Sequence, residues 1–181
     1  IVGIVGANGC GKSTLLRILA GADKPDGGLI EYGGHNAMKN PKIFREYAGY
    51  VPQDNPLFEN LTVSDNLKLW YCNSRLGLKK ELEDGILSYL DINSMLKKKV
   101  ENLSGGMKKR LSIGIALAGH PPILILDEPG TALDPACKDD IRKYLKHYLD
   151  IGGTIIISTH DEMEISMCNR LLLMKDTKLT E

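Results

Sequence analysis

Gly6-Ala7-Asn8-Gly9-Cys10-Gly11-Lys12-Ser13-Thr14 has the spacing G-x-x-x-x-G-K-[ST], between the apolar run Ile1 to Val5 and a helix-like stretch from Leu15 to Ala20. Such a segment suits phosphate groups. Its glycines let successive backbone N–H groups point into one concavity, and the following helix aims its positive end at the same place. Lys12 can reach the β- and γ-phosphates of a nucleotide, and the Ser13 hydroxyl can ligand Mg²⁺. Cys10 sits inside the loop near Lys12 and the helix amides, surroundings that favour a thiolate.

A second group with chemical potential is Asp127-Glu128, directly after the apolar run Ile123 to Leu126. In open α/β sheets ligands collect outside the carboxyl ends of strands. A strand-end Asp suits Mg²⁺ held through water, because that ion keeps much of its hydration shell. Glu128 beside it can polarise an attacking water, a contribution on the order of 10²–10⁴ in rate. The third group is Leu103-Ser104-Gly105-Gly106-Met107, a serine cap and two glycines at a helix start, which also suits an anion. Lys108, Lys109 and Arg110 in the first turns oppose the helix dipole unless an anion or acidic neighbours offset them, so they suit a phosphate site.

These groups need strands and helices to hold them. Ile1 to Val5 reads as a strand in a sheet centre. Gly21 is a C-cap signal, Pro25 to Gly28 a turn, Leu29 to Tyr32 a short strand, Gly33-Gly34 another turn and Pro41 to Tyr47 a helical turn. Tyr50-Val51 is a brief buried strand ending at Pro52, which delivers Gln53 to its exposed tip. From Leu61 to Val100 the pattern is helical: Thr62 caps a segment whose Val63, Leu67, Trp70 and Tyr71 share a face, and Leu82, Ile86, Leu87 and Leu90 make another. Trp70 is read there as core packing. Ser104 caps a helix closed by Pro121-Pro122, and Ile123 to Leu126 is a fully buried parallel strand. Asp134-Pro135 starts a further helix, Thr154 to Ser158 is a strand leading to His160, and Arg170 to Met174 is one more. The fold class is therefore α/β, a mostly parallel sheet flanked by helices plus a helical insert.

Length and composition agree with one folded unit. A chain of 181 residues can bury a real core without disulfides or metals. Lys+Arg 23 balances Asp+Glu 23, the basic clusters are short, and no nucleic-acid partner is expected. Cys10, Cys72, Cys137 and Cys168 show no C-x-x-C pair or zinc spacing, which fits a reducing compartment. No apolar run approaches the ~20 residues of a membrane-spanning helix, so a membrane connection would run through a partner. Ile1 is not an initiator methionine and opens inside a strand, so the chain is expected to be a fragment.

The motifs, in this order and spacing, resemble the ATP-binding cassette (ABC) ATPases over nearly the whole chain. Gly6 to Thr14 is similar to Walker A, Gln53 to the Q-loop glutamine, Leu103 to Met107 to the family signature, and Ile123 to Glu128 to Walker B with its glutamate. Thr131 to Asp134 resembles the D-loop, and His160 the switch histidine. The resemblance implies a P-loop NTPase core over residues 1–53 and 111–181, a helical subdomain over 54–110, and N-terminal antiparallel strands mostly absent. It also implies ATP and Mg²⁺ as cofactors, bound by Asn8, Gly9, Cys10, Gly11, Lys12, Ser13, Thr14 and Gln53. Ser13, Gln53 and Asp127 would hold the metal, Glu128 would be the base, and His160 would contact the γ-phosphate. Ser104, Gly105, Gly106, Met107 and Asp134 would act in trans, because the family pairs two domains head to tail.

The expected partners are thus a second copy or homologous ATPase domain and a transmembrane permease, at the cytoplasmic face of the membrane. Residues Asn55 to Val63 resemble the segment where such cassettes meet the permease. Met107, in place of the usual glutamine, together with Lys108 to Arg110 resembles exporter ATPases, and Gly130 stands where the family often has Thr, Ser or Phe. The family stacks adenine on an aromatic residue upstream of Walker A, and none precedes Ile1, so weaker ATP binding than in an extended chain is expected. The alternative is a soluble ABC ATPase acting on ribosomes or DNA. Only residues 54–103 separate Gln53 from the signature, without heptads, which speaks against the DNA-acting type. A non-hydrolysing module is disfavoured by Glu128 and His160.

Overall fold

The β-branched and aliphatic runs pair side by side because, buried on both faces, they satisfy backbone groups only through one another. The computed structural model describes residues 1–72, 74 and 77–181. Its strands are β1 (Val2–Val5), β2 (Glu31–Tyr32), β3 (His35–Asn36), β4 (Ala48–Val51), β5 (Ile123–Asp127), β6 (Thr154–Ser158), β7 (Arg170–Lys175) and β8 (Lys178–Thr180). The main sheet has the order β4-β5-β6-β1-β7-β8. All its neighbours are parallel except β7 and β8, an antiparallel pair at one edge. β1 is central, between β6 and β7, as its uninterrupted apolar character requires. β2 and β3 form a separate hairpin closed by Gly33-Gly34, both at positive φ, the conformation a two-residue hairpin turn demands.

Eight α-helices accompany these strands among the described residues: α1 (Lys12–Leu19), α2 (Lys42–Tyr47), α3 (Val63–Tyr71), α4 (Leu78–Glu83), α5 (Ile86–Tyr89), α6 (Gly105–Ala116), α7 (Pro135–Asp150) and α8 (Glu162–Ser166). The sheet is covered on both faces. On one, Ile4, Ile125 and Met174 meet Leu16 of α1. On the other, the alternate residues Leu124, Leu126, Ile155 and Ile157 meet Ile141 and Leu145 of α7. That second cluster continues into the helical subdomain through Leu111, Leu67, Tyr71, Leu87 and Leu90. Burying each such aliphatic side chain contributes about 1.5–3 kcal/mol, so packing rather than helix propensity holds these short helices in place.

Two details depart from the sequence reading. Val63, Leu67 and Tyr71 of α3 are buried, but Trp70 is 50% exposed. It lies at the margin of the apolar stripe and overhangs a groove bordered by α6 and by the segment after β4. The apolar face containing Leu82 to Leu90 is also not one helix. At Gly85 an added Cβ would lie 2.7 Å from the Glu81 Cα, and the chain breaks there into α4 and α5.

Candidate active site

Because β4, β5, β6 and β1 are parallel neighbours, their carboxyl ends share one edge of the sheet. From those ends come Gln53, the Asp127-Glu128 pair, the Ser158 to His160 segment and the glycine loop. The loop is shaped by close approach. At Gly6, φ is +156° and a Cβ would lie 2.3 Å from the Met174 carbonyl oxygen. Gly11 sits at φ +107° as the N-cap of α1 and supplies no side-chain cap, so the first amides of this helix remain available to a ligand. A cleft of ≈ 380 Å³ opens there, with Asn8, Gly9 and Gly11 to Thr14 on one wall and Gln53 and Glu128 on the other. The Cys10 side chain turns away from it, packing beside the apolar cluster of Ile4 and Leu16.

Lys12 is only 5% exposed. Its ammonium donates to the carbonyls of Gly6 at 2.8 Å and Ala7 at 3.2 Å, and contacts His160 Nε2 at 3.1 Å. An ammonium can only donate, so in this contact Nε2 is the acceptor. The same Nε2 lies 3.6 Å from Glu128 Oε1. Glu128 Oε2 accepts from the Gln53 amide at 3.3 Å and from the Thr131 hydroxyl at 3.0 Å. Lys12, Glu128 and Gln53 line the cleft and His160 joins them through Lys12 and Glu128, although 148 positions separate Lys12 from His160.

The carboxylate pair has a support that sequence reading missed. Ser158, fully buried at the end of β6, donates its hydroxyl to Asp127 Oδ1 at 2.5 Å. Ser158 Oγ in turn accepts the Glu128 backbone N–H at 3.1 Å. Glu128 leaves the strand at φ +45°, a strained conformation for a non-glycine residue that these bonds hold in place. The available signal was a lone hydroxyl ending a β-branched strand two residues before His160. Beneath the same segment Thr159 donates to the buried Glu164 carboxylate, which burial pushes above the ordinary glutamate value.

The residues expected to hold Mg²⁺, namely Ser13, Gln53 and Asp127, border one groove of ≈ 800 Å³. A hydroxyl, an amide carbonyl and a carboxylate are hard oxygen donors of the kind this ion takes. No group of three or more His, Cys, Asp or Glu converges among the described residues. That agrees with an ion that relies on one carboxylate, water and phosphate oxygens. The donor set fits Mg²⁺.

The second glycine element stands apart. None of Ser104, Gly105, Gly106 or Met107 lines the loop cleft. Ser104 caps α6, its Oγ accepting from the Met107 N–H at 3.3 Å. Gly106 is pressed on the start of α7, where a Cβ would lie 2.3 Å from Cys137 Sγ. Asp134 caps α7 by accepting the Cys137 N–H at 3.0 Å, and the Cys137 thiol and backbone together hold its carboxyl below the ordinary value. The cations that follow turn to three separate protein partners. Lys108 pairs with Glu59 at 2.8 Å, Arg110 with Asp91 at 3.4 Å, and buried Lys109 donates to the Pro52 and Gln53 carbonyls.

Against known families, residues 1–131 match the ABC transporter family. The chain belongs to that family. As an ABC cassette it is 39% identical over 184 residues to ABC transporter A family member 11 of Dictyostelium discoideum, covering 99% of this chain and 22% of that protein. It is 35% identical to the probable multidrug ABC transporter ATP-binding protein YbhF of Escherichia coli, covering 99% of this chain and 31% of YbhF. The chain thus spans between a fifth and a third of the length of these relatives. Among solved structures, the dimeric post-hydrolysis state of the ATP-binding cassette MJ0796 bound to ADP and Pi superimposes with a TM-score of 0.86. It shares 30% identity, over 100% of this chain and 83% of that one. ATP binding and hydrolysis are the activity of this fold and family. No helix among the described residues is long and apolar enough to cross a membrane.

Proposed function

We propose that this cassette hydrolyses Mg-ATP for an ABC exporter, closing on a second cassette when ATP binds and passing that closure to a membrane permease. The observation that carries the reading is the contact chain of Gln53, Glu128, His160 and Lys12 beside the loop cleft while the signature stands outside it. One chain offers the phosphate cradle, and a second copy or homologous domain would supply Ser104, Gly105, Gly106, Met107 and Asp134 to the same ATP. The dimeric cassette to which the chain is similar supports that pairing. The export direction is supported by relatives named for multidrug transport, linearmycin resistance and Nod factor export.

In this reading the amides from Asn8 to Thr14 bind the phosphates, and Lys12 exchanges the Gly6 and Ala7 carbonyls for phosphate oxygens. Glu128 accepts a proton from water, and Gln53 and Thr131 orient its carboxylate. His160, already beside Lys12 and Glu128, contacts the γ-phosphate. Mg²⁺, when bound by Ser13, Gln53 and Asp127, supplies charge neutralisation at the phosphate oxygens. The division into a core of 1–53 and 111–181 and a helical subdomain of 54–110 belongs to the same proposal. The helical subdomain, with the segment Asn55 to Val63, would meet the permease, which would hold the cassette at the cytoplasmic face of the membrane.

The test is Glu128→Gln in saturating Mg-ATP. Turnover should fall on the order of 10²–10⁴-fold, ATP should stay bound, and light scattering should show a dimer. A variant that remains monomeric with ATP bound would overturn the head-to-tail arrangement.

A further inference from the structure

We propose that Lys109, on the signature helix α6, positions Gln53 against Glu128. This rests on the ATPase reading above and adds a residue to it. The Lys109 side chain is buried, with 2% of the residue exposed. Its ammonium donates to the Pro52 carbonyl at 3.2 Å and the Gln53 carbonyl at 3.1 Å. Among the described residues no carboxylate forms a salt bridge with it, and neither carbonyl accepts a backbone hydrogen bond outside the regular elements.

The reason lies in topology. β4 is an edge strand, so the segment that leaves it has a ladder on one side only. The ammonium takes the place of a missing strand by binding two successive carbonyls through charge-assisted hydrogen bonds. The fixed backbone then lets the Gln53 amide reach Glu128 Oε2 at 3.3 Å. Burial pushes the lysine below its ordinary value, an effect that nearby Asp127 and Asp54 oppose. A buried cation is an expensive way to fill space, and an apolar residue of similar volume often serves stability as well or better. What the charge adds here is control of two specific oxygens. The remainder of the segment is tied to the same helix, with Ser112 Oγ donating to Asn55 Oδ1 at 2.9 Å and Lys108 pairing with Glu59. A displacement of α6 is thereby transmitted to the glutamine beside the catalytic carboxylate.

The experiment is a double-mutant cycle on the full chain, with Lys109→Met and Gln53→Ala assayed singly and together for ATP turnover. Lys109→Met should lower kcat about 10- to 100-fold with KM within about twofold, the signature of misplacement rather than lost binding. In the Gln53→Ala background it should change kcat by less than about twofold, because the two residues act as one unit. Effects that multiply independently overturn the proposal. Lys109→Gln, which retains a donor, accompanies it as the milder variant and should show the same non-additivity. A second readout does not need turnover: in ¹⁵N-correlated NMR spectra, Lys109→Met should shift the Gln53 side-chain and Asp54 backbone amides more than Ser112→Ala does. Resonances no more displaced than in Ser112→Ala overturn the proposal. A wild-type chain without turnover would refute the ATPase reading, and the NMR comparison would still decide the role of Lys109.

Discussion

Two helix starts in this molecule carry glycines, and they are built in opposite ways. At α1 the N-cap is Gly11, which has no side chain to satisfy the helix amides, and a cleft opens directly in front of it. At α6 the N-cap is Ser104, which binds the Met107 amide itself, and Gly106 is pressed against α7. The lysine after the first lines that cleft and is held by loop carbonyls and His160, whereas the three cations after the second are engaged by Glu59, Asp91 and the segment after β4. The first is a helix start without a side-chain cap, open to a cleft. The second is a capped joint packed against α7.

That contrast can be broken by substitution. Lys12→Met should act on nucleotide binding: losing hydrogen bonds from a charged donor costs about 1.5–3 kcal/mol, or roughly 10- to 100-fold in ATP affinity, measurable by titration calorimetry. Gly106→Ala should act on stability, since its Cβ would meet Cys137 Sγ at 2.3 Å. Overpacking of that kind costs about 1–3 kcal/mol, and chemical denaturation should report it. Ser104→Ala removes only a cap, a loss of about 0.5–2 kcal/mol, and monomer affinity for ATP should be unchanged. If Ser104→Ala weakened ATP binding by an isolated monomer as Lys12→Met does, the two helix starts would be equivalent and the contrast would fail.

The smallest effect concerns the floor of the His160 segment. Burial raises Glu164 above its unfolded value of 4.5, more than the Thr159 hydrogen bond lowers it. With a raised folded pKa, the contribution of this group to stability is complete below the unfolded value and is lost as pH rises through the folded one. Glu164→Gln should therefore flatten the fall in Tm as pH climbs from 4.5 through the raised value, leaving the α6 end of the molecule unaffected.

Much of this site was legible because its chemistry is encoded in contiguous runs. The glycine loop, Asp127-Glu128 after its apolar strand, and the Ser104 and Asp134 caps all depend on neighbours within a few residues, and each stands where local pattern put it. Other residues were read wrongly or missed. Trp70 fits an apolar stripe by period, yet whether the margin of a stripe is buried depends on what lies across from it. Lys108 to Arg110 resemble a cationic cluster in one dimension, but a helix points successive side chains in different directions, towards three separate partners. Ser158 offered only a lone hydroxyl at a strand end, because its role comes from pairing in register with Asp127.

The sequence by itself determined the phosphate loop, the strand-end carboxylates, the alternation of strands and helices, and the family to which they point. These follow from spacing, backbone freedom at glycine and hydrophobic period, all short-range properties of the chain. Only the tertiary structure decided that Lys12, Gln53 and Glu128 line one cleft and His160 joins them, that Ser158 braces the carboxylates, and that Lys109 grips the loop of Gln53. Those contacts depend on the strand order β4-β5-β6-β1 and on the packing of α6 beside the edge strand. Residues far apart in the chain meet there only because the sheet brings their strand ends to one edge.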